Sequence, residues 1–338
     1  MWDDPATEPV GGGIFRIPLP LPGDGLRAVN VYAIDTGDGL VMIDAGWALA
    51  ESEEQLVRSL AEVGFGLDDI RSFLVTHVHR DHYSQAVTVR AKFGSSINVG
   101  IGEAPSLIRT IEWQRSGEPP RNTSGLVRAG AANLIAEIDQ NNTGRPAGEV
   151  EGWELPDSWL DDRAVVAAGS RSLQVIRTPG HTTGHVVFRD AAANLLFAGD
   201  HVLPHITPSI GFEPVRVRYP LRDYLDSLKL LLAMPDSRLL PAHGPIADSA
   251  HARIAELLDH HEQRLSESEA VVKAGASTAY EAASALTWTR RRRRFDEMDL
   301  FNRILATNET AAHLDVLVLQ GRLVSHTEPD GTEFFRTP

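Results

Sequence analysis

The sequence predicts a layered, mixed α/β fold. Two observations carry that expectation. Short apolar runs of strand character alternate with stretches of helical spacing, a β–α–β rhythm. Four of the strand ends run directly into histidine or aspartate, which is how α/β sheets assemble a site along one edge. The 338 residues suffice for two domains, or for one large domain with an appendage.

The elements follow in order. Gly13–Pro18 leads in, Ala28–Ile34 alternates as a strand, and Gly37-Asp38-Gly39 turns the chain into the short buried run Leu40–Ile43, which ends at Asp44. Residues 48–63 place Leu56, Leu60 and Val63 on one helical face. Ile70–Val75 is a β-rich run that enters a histidine cluster. The segment 103–153 reads as a mainly helical insertion: Leu107, Ile108 and Ile111 share a face, and Val127–Ile138 forms a second helix. Gly117–Pro120 and Gly144–Gly148 read as its loops. Strands resume at Ala164–Ala167, Leu173–Ile176, Val186–Arg189 and Leu195–Ala198, then a helix spans Tyr219–Ala233 before the apolar run Leu239–Leu240. Beyond residue 250, helices are expected over Ala252–Val272, Ser277–Leu286 (capped by Ser277 with Glu281) and Asn308–Leu319. Arg322–Ser325 and Glu333–Arg336 flank Pro329-Asp330-Gly331 as a hairpin. Three helices and a hairpin are the order of a winged-helix module. The expected division is residues 1–250 and 251–338.

Composition narrows the chemistry. The chain has no cysteine, which excludes disulfides, thiolate metal sites, iron–sulfur clusters and a cysteine nucleophile. Thirteen histidines and 46 acidic residues remain as nitrogen and oxygen donors. The net charge of −14 disfavours nucleic acid as a partner. No apolar run approaches the roughly 18–20 residues that span a bilayer. The N-terminus is acidic and shows no signal-peptide core, so a cytoplasmic enzyme without membrane contact is the expectation.

The strongest feature is Thr76-His77-Val78-His79-Arg80-Asp81-His82, placed just after a buried strand. Burying such rings and carboxylates unpaired costs several kcal/mol each, and a metal ion removes that cost. Alternation is expected to set His77, His79 and Asp81 on one side of an extended segment, with His82 brought alongside by a turn. Three further strand ends add Thr178–His185, Gly199-Asp200-His201 and Ala242-His243-Gly244.

Together these segments resemble the metallo-β-lactamase-fold hydrolases over roughly residues 13–250. The family's HxHxDH stands as His77, His79, Asp81 and His82, its PGHTxGH as Pro179–His185, its GD as Gly199-Asp200 and its late HG as His243-Gly244. The resemblance implies an αββα sandwich with two metal sites. His77, His79 and His181 would hold the first ion, Asp81, His82 and His243 the second, and Asp200 would bridge both. Seven nitrogen and oxygen donors suit Zn, with Mn or Fe as alternatives. Two ions about 3.5–4 Å apart can share a water and present it as hydroxide near pH 7. Asp81 would orient that nucleophile or carry a proton to the leaving group. His185 is expected to hydrogen-bond near the site rather than to ligate. His201 is expected to be structural or to line the pocket, His205 to face the site from a loop, and His260-His261 to pack. Tyr83, Ser84 and Gln85 depart from the small residues that many relatives carry.

Within the family, the cysteine-using β-lactamases are excluded, and the bridging Asp200 argues against the all-histidine ones. Glyoxalase-II-type thioesterases and acyl-homoserine lactonases share the ligands but not the tail. The layout after residue 250 is similar to the subgroup with a C-terminal winged-helix-like tail, the LACTB2-like proteins. Some of those cut RNA, so a metal-dependent ribonuclease or phosphodiesterase is the rival reading, and Arg290–Arg294 is its local support. Residues 251–338 nevertheless carry 11 basic against 14 acidic residues, so the module reads as a packing or dimer element, and a homodimer fits it. The insertion would cap the site and limit it to small molecules; Trp113, Trp153 and Trp159 would pack in the core or line an apolar acyl pocket. The function expected is hydrolysis of a small ester, thioester or lactone.

Overall fold

The computed structural model describes residues 3–338 except Asp24, 117–122, 142–151 and 290–291. The predicted loops at Gly117–Pro120 and Gly144–Gly148, and the first two arginines of the basic run, therefore lie outside the described residues.

A seven-stranded sheet carries β1 (Glu8–Gly11), β2 (Ile14–Pro20), β3 (Ala28–Asp35), β4 (Leu40–Ile43), β5 (Ile70–Val75), β6 (Ser96–Gly100) and β7 (Ser158–Leu160) in spatial as in chain order. The first four strands meander antiparallel; β4 to β7 pair parallel. Parallel pairs need crossovers. These are α1 (Ala50–Glu62), α2 (Arg80–Phe93) and the segment holding α3 (Ala104–Ser116), α4 (Ser124–Arg128) and α5 (Ala132–Asn141). A second sheet runs β12-β11-β10-β9-β8, built from β8 (Val165–Ala168), β9 (Arg171–Arg177), β10 (Val186–Asp190), β11 (Leu195–Gly199) and, after α6 (Pro220–Leu232), β12 (Arg238–Pro241). The chain ends with α7 (Ala250–Lys273), α8 (Ala279–Ala285), the short ladder β13 (Thr287–Trp288) with β14 (Arg293–Arg294), α9 (Leu300–Leu319) and the hairpin β15 (Val324–Thr327) with β16 (Glu333–Arg336).

Period-two alternation makes this a four-layer sandwich. In β3, Tyr32 and Ile34 enter the layer between the sheets, while Val29, Val31 and Ala33 pack with Leu56 and Leu60 of α1 and Tyr83 and Ala86 of α2. In β10 and β11, Val186, Phe188, Leu195 and Phe197 face inward, while Val187, Leu196 and Ala198 meet Leu221 and Tyr224 of α6 and Ile254 of α7. The outer cluster on the second sheet is continuous across residue 250. It joins Leu126, Ala129 and Leu134 of α4 and α5 to Leu257, Ala312 and Leu314 of α7 and α9.

Several local expectations are corrected. Val127–Ile138 is two helices, because Gly130 adopts φ 72° between them. Thr278, not Ser277, is the N-cap of α8; its hydroxyl accepts from Glu281 N–H. Helix α9 starts eight residues earlier than expected, where Asp299 accepts from Asn302 N–H. The first hairpin strand begins at Val324 rather than Arg322. Of the two roles expected for Trp153 and Trp159, the structure gives core packing: both lie against the outer core of the first sheet, with Trp153 stacked on Tyr83.

Candidate metal centre

All seven predicted ligands stand at one edge of the sandwich, past the strand ends. His77 and His79 follow β5. His79 is the N-cap of α2, so Asp81 sits on the first helical turn rather than on an extended segment, and His82 follows it on the same turn. His181 lies in the turn between β9 and β10, Asp200 follows β11, and His243 follows β12. Gly199 makes the approach work. It adopts φ 50°, and a Cβ there would lie 2.6 Å from Thr76 Oγ1 and 2.7 Å from His185 Nε2.

The donors form two groups. His79 Nδ1 lies 3.0 Å from both His77 Nε2 and His181 Nε2. Asp200 Oδ2 is 3.5 Å from His181 Nε2. In the second group, Asp81 Oδ2 is 3.7 Å from His82 Nε2 and 3.5 Å from His243 Nε2. Asp200 Oδ1 is 3.6 and 3.3 Å from the same two nitrogens. One carboxylate thus turns an oxygen to each group. Four ligands at about 2.0–2.1 Å from a tetrahedral ion stand about 3.3 Å apart, so these spacings fit a divalent metal. Three of the donor atoms, His82 Nε2, His243 Nε2 and Asp200 Oδ1, are buried with no hydrogen-bond partner among the described residues. A cation would give each of them one.

Most of the far ring nitrogens are anchored, which fixes tautomer and orientation. His77 Nδ1 meets Thr76 Oγ1 at 3.1 Å, His181 Nδ1 meets Ser209 O at 2.8 Å, and His243 Nδ1 meets Ala28 O at 2.7 Å. His82 Nδ1 meets Asp44 Oδ2 at 2.9 Å. Asp44 also accepts from Thr76 N–H at 2.8 Å and from Thr76 Oγ1 at 3.0 Å, and it adopts φ 58° to do so. In sequence Asp44 is only the residue that ends a strand. Its partners lie 32 and 38 residues away, so no local signal marks its role.

Burial, then the neighbouring imidazoles, push His77 well below the ordinary histidine range; burial and His181 bring His79 to about 3. Burial also lowers His181. These rings are therefore neutral at pH 7, the ligating form. For His82, burial pulls down but Asp81, Asp44 and Asp200 outweigh it and raise the ring to about 10. Three carboxylates around one ring demand positive charge. His82 must lose its proton to coordinate, so metal loading of the apo protein at pH 7 is expected to release about one proton from it. Calorimetric titration in buffers of different ionisation enthalpy measures this; a buffer-independent heat would count against it.

The other histidines separate from the ligands. His185 accepts from Asp200 N–H at Nε2 (3.2 Å) and meets Thr178 Oγ1 at Nδ1 (2.9 Å), so it positions Asp200. His201 is buried against Tyr224. His205 is exposed beside Gly244. His261 pairs with His313 at 3.2 Å within the C-terminal helices.

The sequence pattern of the metallo-beta-lactamase superfamily matches residues 24–243. The chain is 26% identical to the probable metallo-hydrolase YqjP of Bacillus subtilis (strain 168), over 96% of this chain and 97% of that protein. It is 24% identical to the beta-lactamase-like protein 2 homolog of Drosophila melanogaster, over 71% of this chain and 66% of that protein. The crystal structure of a beta-lactamase domain protein from Burkholderia ambifaria superposes with a TM-score of 0.81 at 23% identity, covering 98% of this chain and 94% of that one. Likeness at that identity speaks for the fold, and the full-length relative and the superfamily match speak for descent. The chain belongs to the metallo-beta-lactamase superfamily and is a hydrolase of that family.

Proposed function

We propose that the chain is a dinuclear metal-dependent hydrolase of a small ester, thioester or lactone. The observation that carries the reading is the Asp200 carboxylate, which turns one oxygen towards each donor group. Zinc suits the donor set, with manganese or iron as alternatives. Two such ions, when bound, lower the pKa of a shared water and polarise a scissile carbonyl. Asp81 is the acidic donor nearest solvent, with 16% of its side chain exposed against 9% for Asp200. It is the group placed to hold a water proton and pass it to the leaving atom. His77, His79, His181, His82 and His243 hold the donor frame rigid.

A small substrate is favoured over a polymer by charge and by the walls of the site. The loop between β11 and α6 is bound to the His181 loop through Ser209 and Glu213, meets α3 at Ser106, and pairs Phe212 with Phe301 of α9. Within the basic run, Arg294 is held by Asp296 in two hydrogen bonds at 3.0 Å. Metal analysis with a substrate panel tests the reading. Two equivalents of metal, with turnover of thioesters or lactones and none of single-stranded RNA, are expected. Metal-dependent RNA cleavage without ester hydrolysis would establish the phosphodiesterase instead, and a β-lactam arm covers that activity.

A further inference from the structure

Two buried glutamates outside the ligand set grip the loop that carries His181. Glu103, in the short turn after β6, is 1% exposed. Its Oε1 accepts from Thr182 Oγ1; the N–H groups of Val78 and Gly184 favour the charged carboxylate, while its Oε2 has no hydrogen-bond partner among the described residues. Val78 stands between His77 and His79, and Thr182 follows His181. Glu213 holds the next residue: it accepts from Thr183 Oγ1 at 3.1 Å and from Ser106 Oγ at 3.4 Å. The backbones nearly touch. A Cβ on Gly184 would lie 1.9 Å from Glu103 N and 2.2 Å from Gly102 C.

The two histidine-bearing loops come from different sheets. His77 and His79 leave the seven-stranded sheet at β5, and His181 turns between β9 and β10 of the five-stranded sheet. Ladder hydrogen bonds set spacing within a sheet, whereas the layer between the sheets is side-chain packing. The bond from Val186 N–H to Thr76 O (2.9 Å) ties the loops at one end. Glu103, just after β6 and so on the same sheet as β5, grips the His181 loop at Thr182 and lies against Gly184.

We propose that Glu103 is a positioning residue for the first metal group: anchored after β6, beside the strand that delivers His77 and His79, its carboxylate holds the His181 loop at coordinating distance from them. This rests on the reading of those histidines as metal ligands. The arrangement is costly to keep, since burial pushes the Glu103 carboxyl up to about 8 and Glu213 up to about 7. An apolar side chain in place of Glu103 would avoid that cost but leave Thr182 Oγ1 without its acceptor.

The test is cobalt(II) titration of the metal-free full chain, followed by visible absorption. Wild type, Glu103→Ala, Glu103→Gln and the reference His79→Ala are compared, with melting curves of each apo protein. Wild type is expected to take up two equivalents. Glu103→Ala is expected to lose affinity for one equivalent by about 10- to 100-fold, keep the other, and change the same absorption bands that His79→Ala removes. Glu103→Gln keeps an acceptor for Thr182, so its loss should be smaller. Wild-type affinity for both equivalents in Glu103→Ala overturns the proposal. So does equal weakening of both with a lowered apo melting temperature, which is general loosening. A wild type that takes up no cobalt defeats the ligand reading itself, and this inference with it.

Discussion

Asp200→Ala is expected to abolish turnover, with a loss of about 10³-fold or more, while the chain stays folded. The loss follows from geometry. Asp200 Oδ1 and Oδ2 are the only oxygens of the described ligand set that face both donor groups, within 3.3–3.6 Å of His181, His82 and His243. Without them, five imidazoles and Asp81 would have to hold the two proposed ions, and several kcal/mol of charge stabilisation in the transition state are at stake. The fold is spared because Asp200 is held by its backbone: its N–H donates to His185 Nε2, and Oδ1 has no hydrogen-bond partner to lose. His79→Ala should behave alike, since the His79 carbonyl, not its ring, accepts from His82 and Tyr83 N–H to start α2. Turnover on the most active substrate of the panel, circular dichroism and bound metal are measured together. Full activity in either variant with its metal depleted would sink the mechanism.

The second large effect is expected at Asp44, which touches no proposed substrate position. Asp44→Ala leaves Thr76 N–H, Thr76 Oγ1 and His82 Nδ1 without their shared acceptor in a buried site. At about 1–3 kcal/mol for each orphaned group, the loss of stability should be roughly 3 kcal/mol or more. Asp44→Asn separates stability from metal binding. Asparagine tolerates φ 58°, and its carbonyl still accepts from Thr76 N–H. Its other position is an amide donor and cannot accept from His82 Nδ1. A stable variant with about 10- to 100-fold weaker binding of one metal equivalent is therefore expected. Thermal melting and metal titration read the two effects, and wild-type metal affinity in Asp44→Asn would count against the orienting role.

The parts of this fold that sequence could reveal are those whose cause is local. Strands β3, β4 and β5 show in apolar runs bounded by turns, and their predicted limits agree with the structure to within a residue. Strands β6 and β7 pass unnoticed because each is short and takes its place from a parallel neighbour rather than from its own pattern. The break at Gly130 and the early start of α9 turn on single residues, a glycine with positive φ and the Asp299 cap, inside otherwise helical spacing.

The site divides in the same way. The seven donors were legible because four short segments bring histidine and aspartate together at motif spacing, and that chemistry has few other uses in a buried strand end. Only the folded chain decided how they are used. It starts a helix at Arg80, so Asp81 and His82 stand on its first turn. It aims the two oxygens of Asp200 at different groups. It also recruits Asp44 and Glu103 from distant segments to orient what the motifs supply. The reason is physical: a motif specifies which atoms can donate, whereas the angles and distances between donors are set by the packing of two sheets and by hydrogen bonds between residues far apart in the chain.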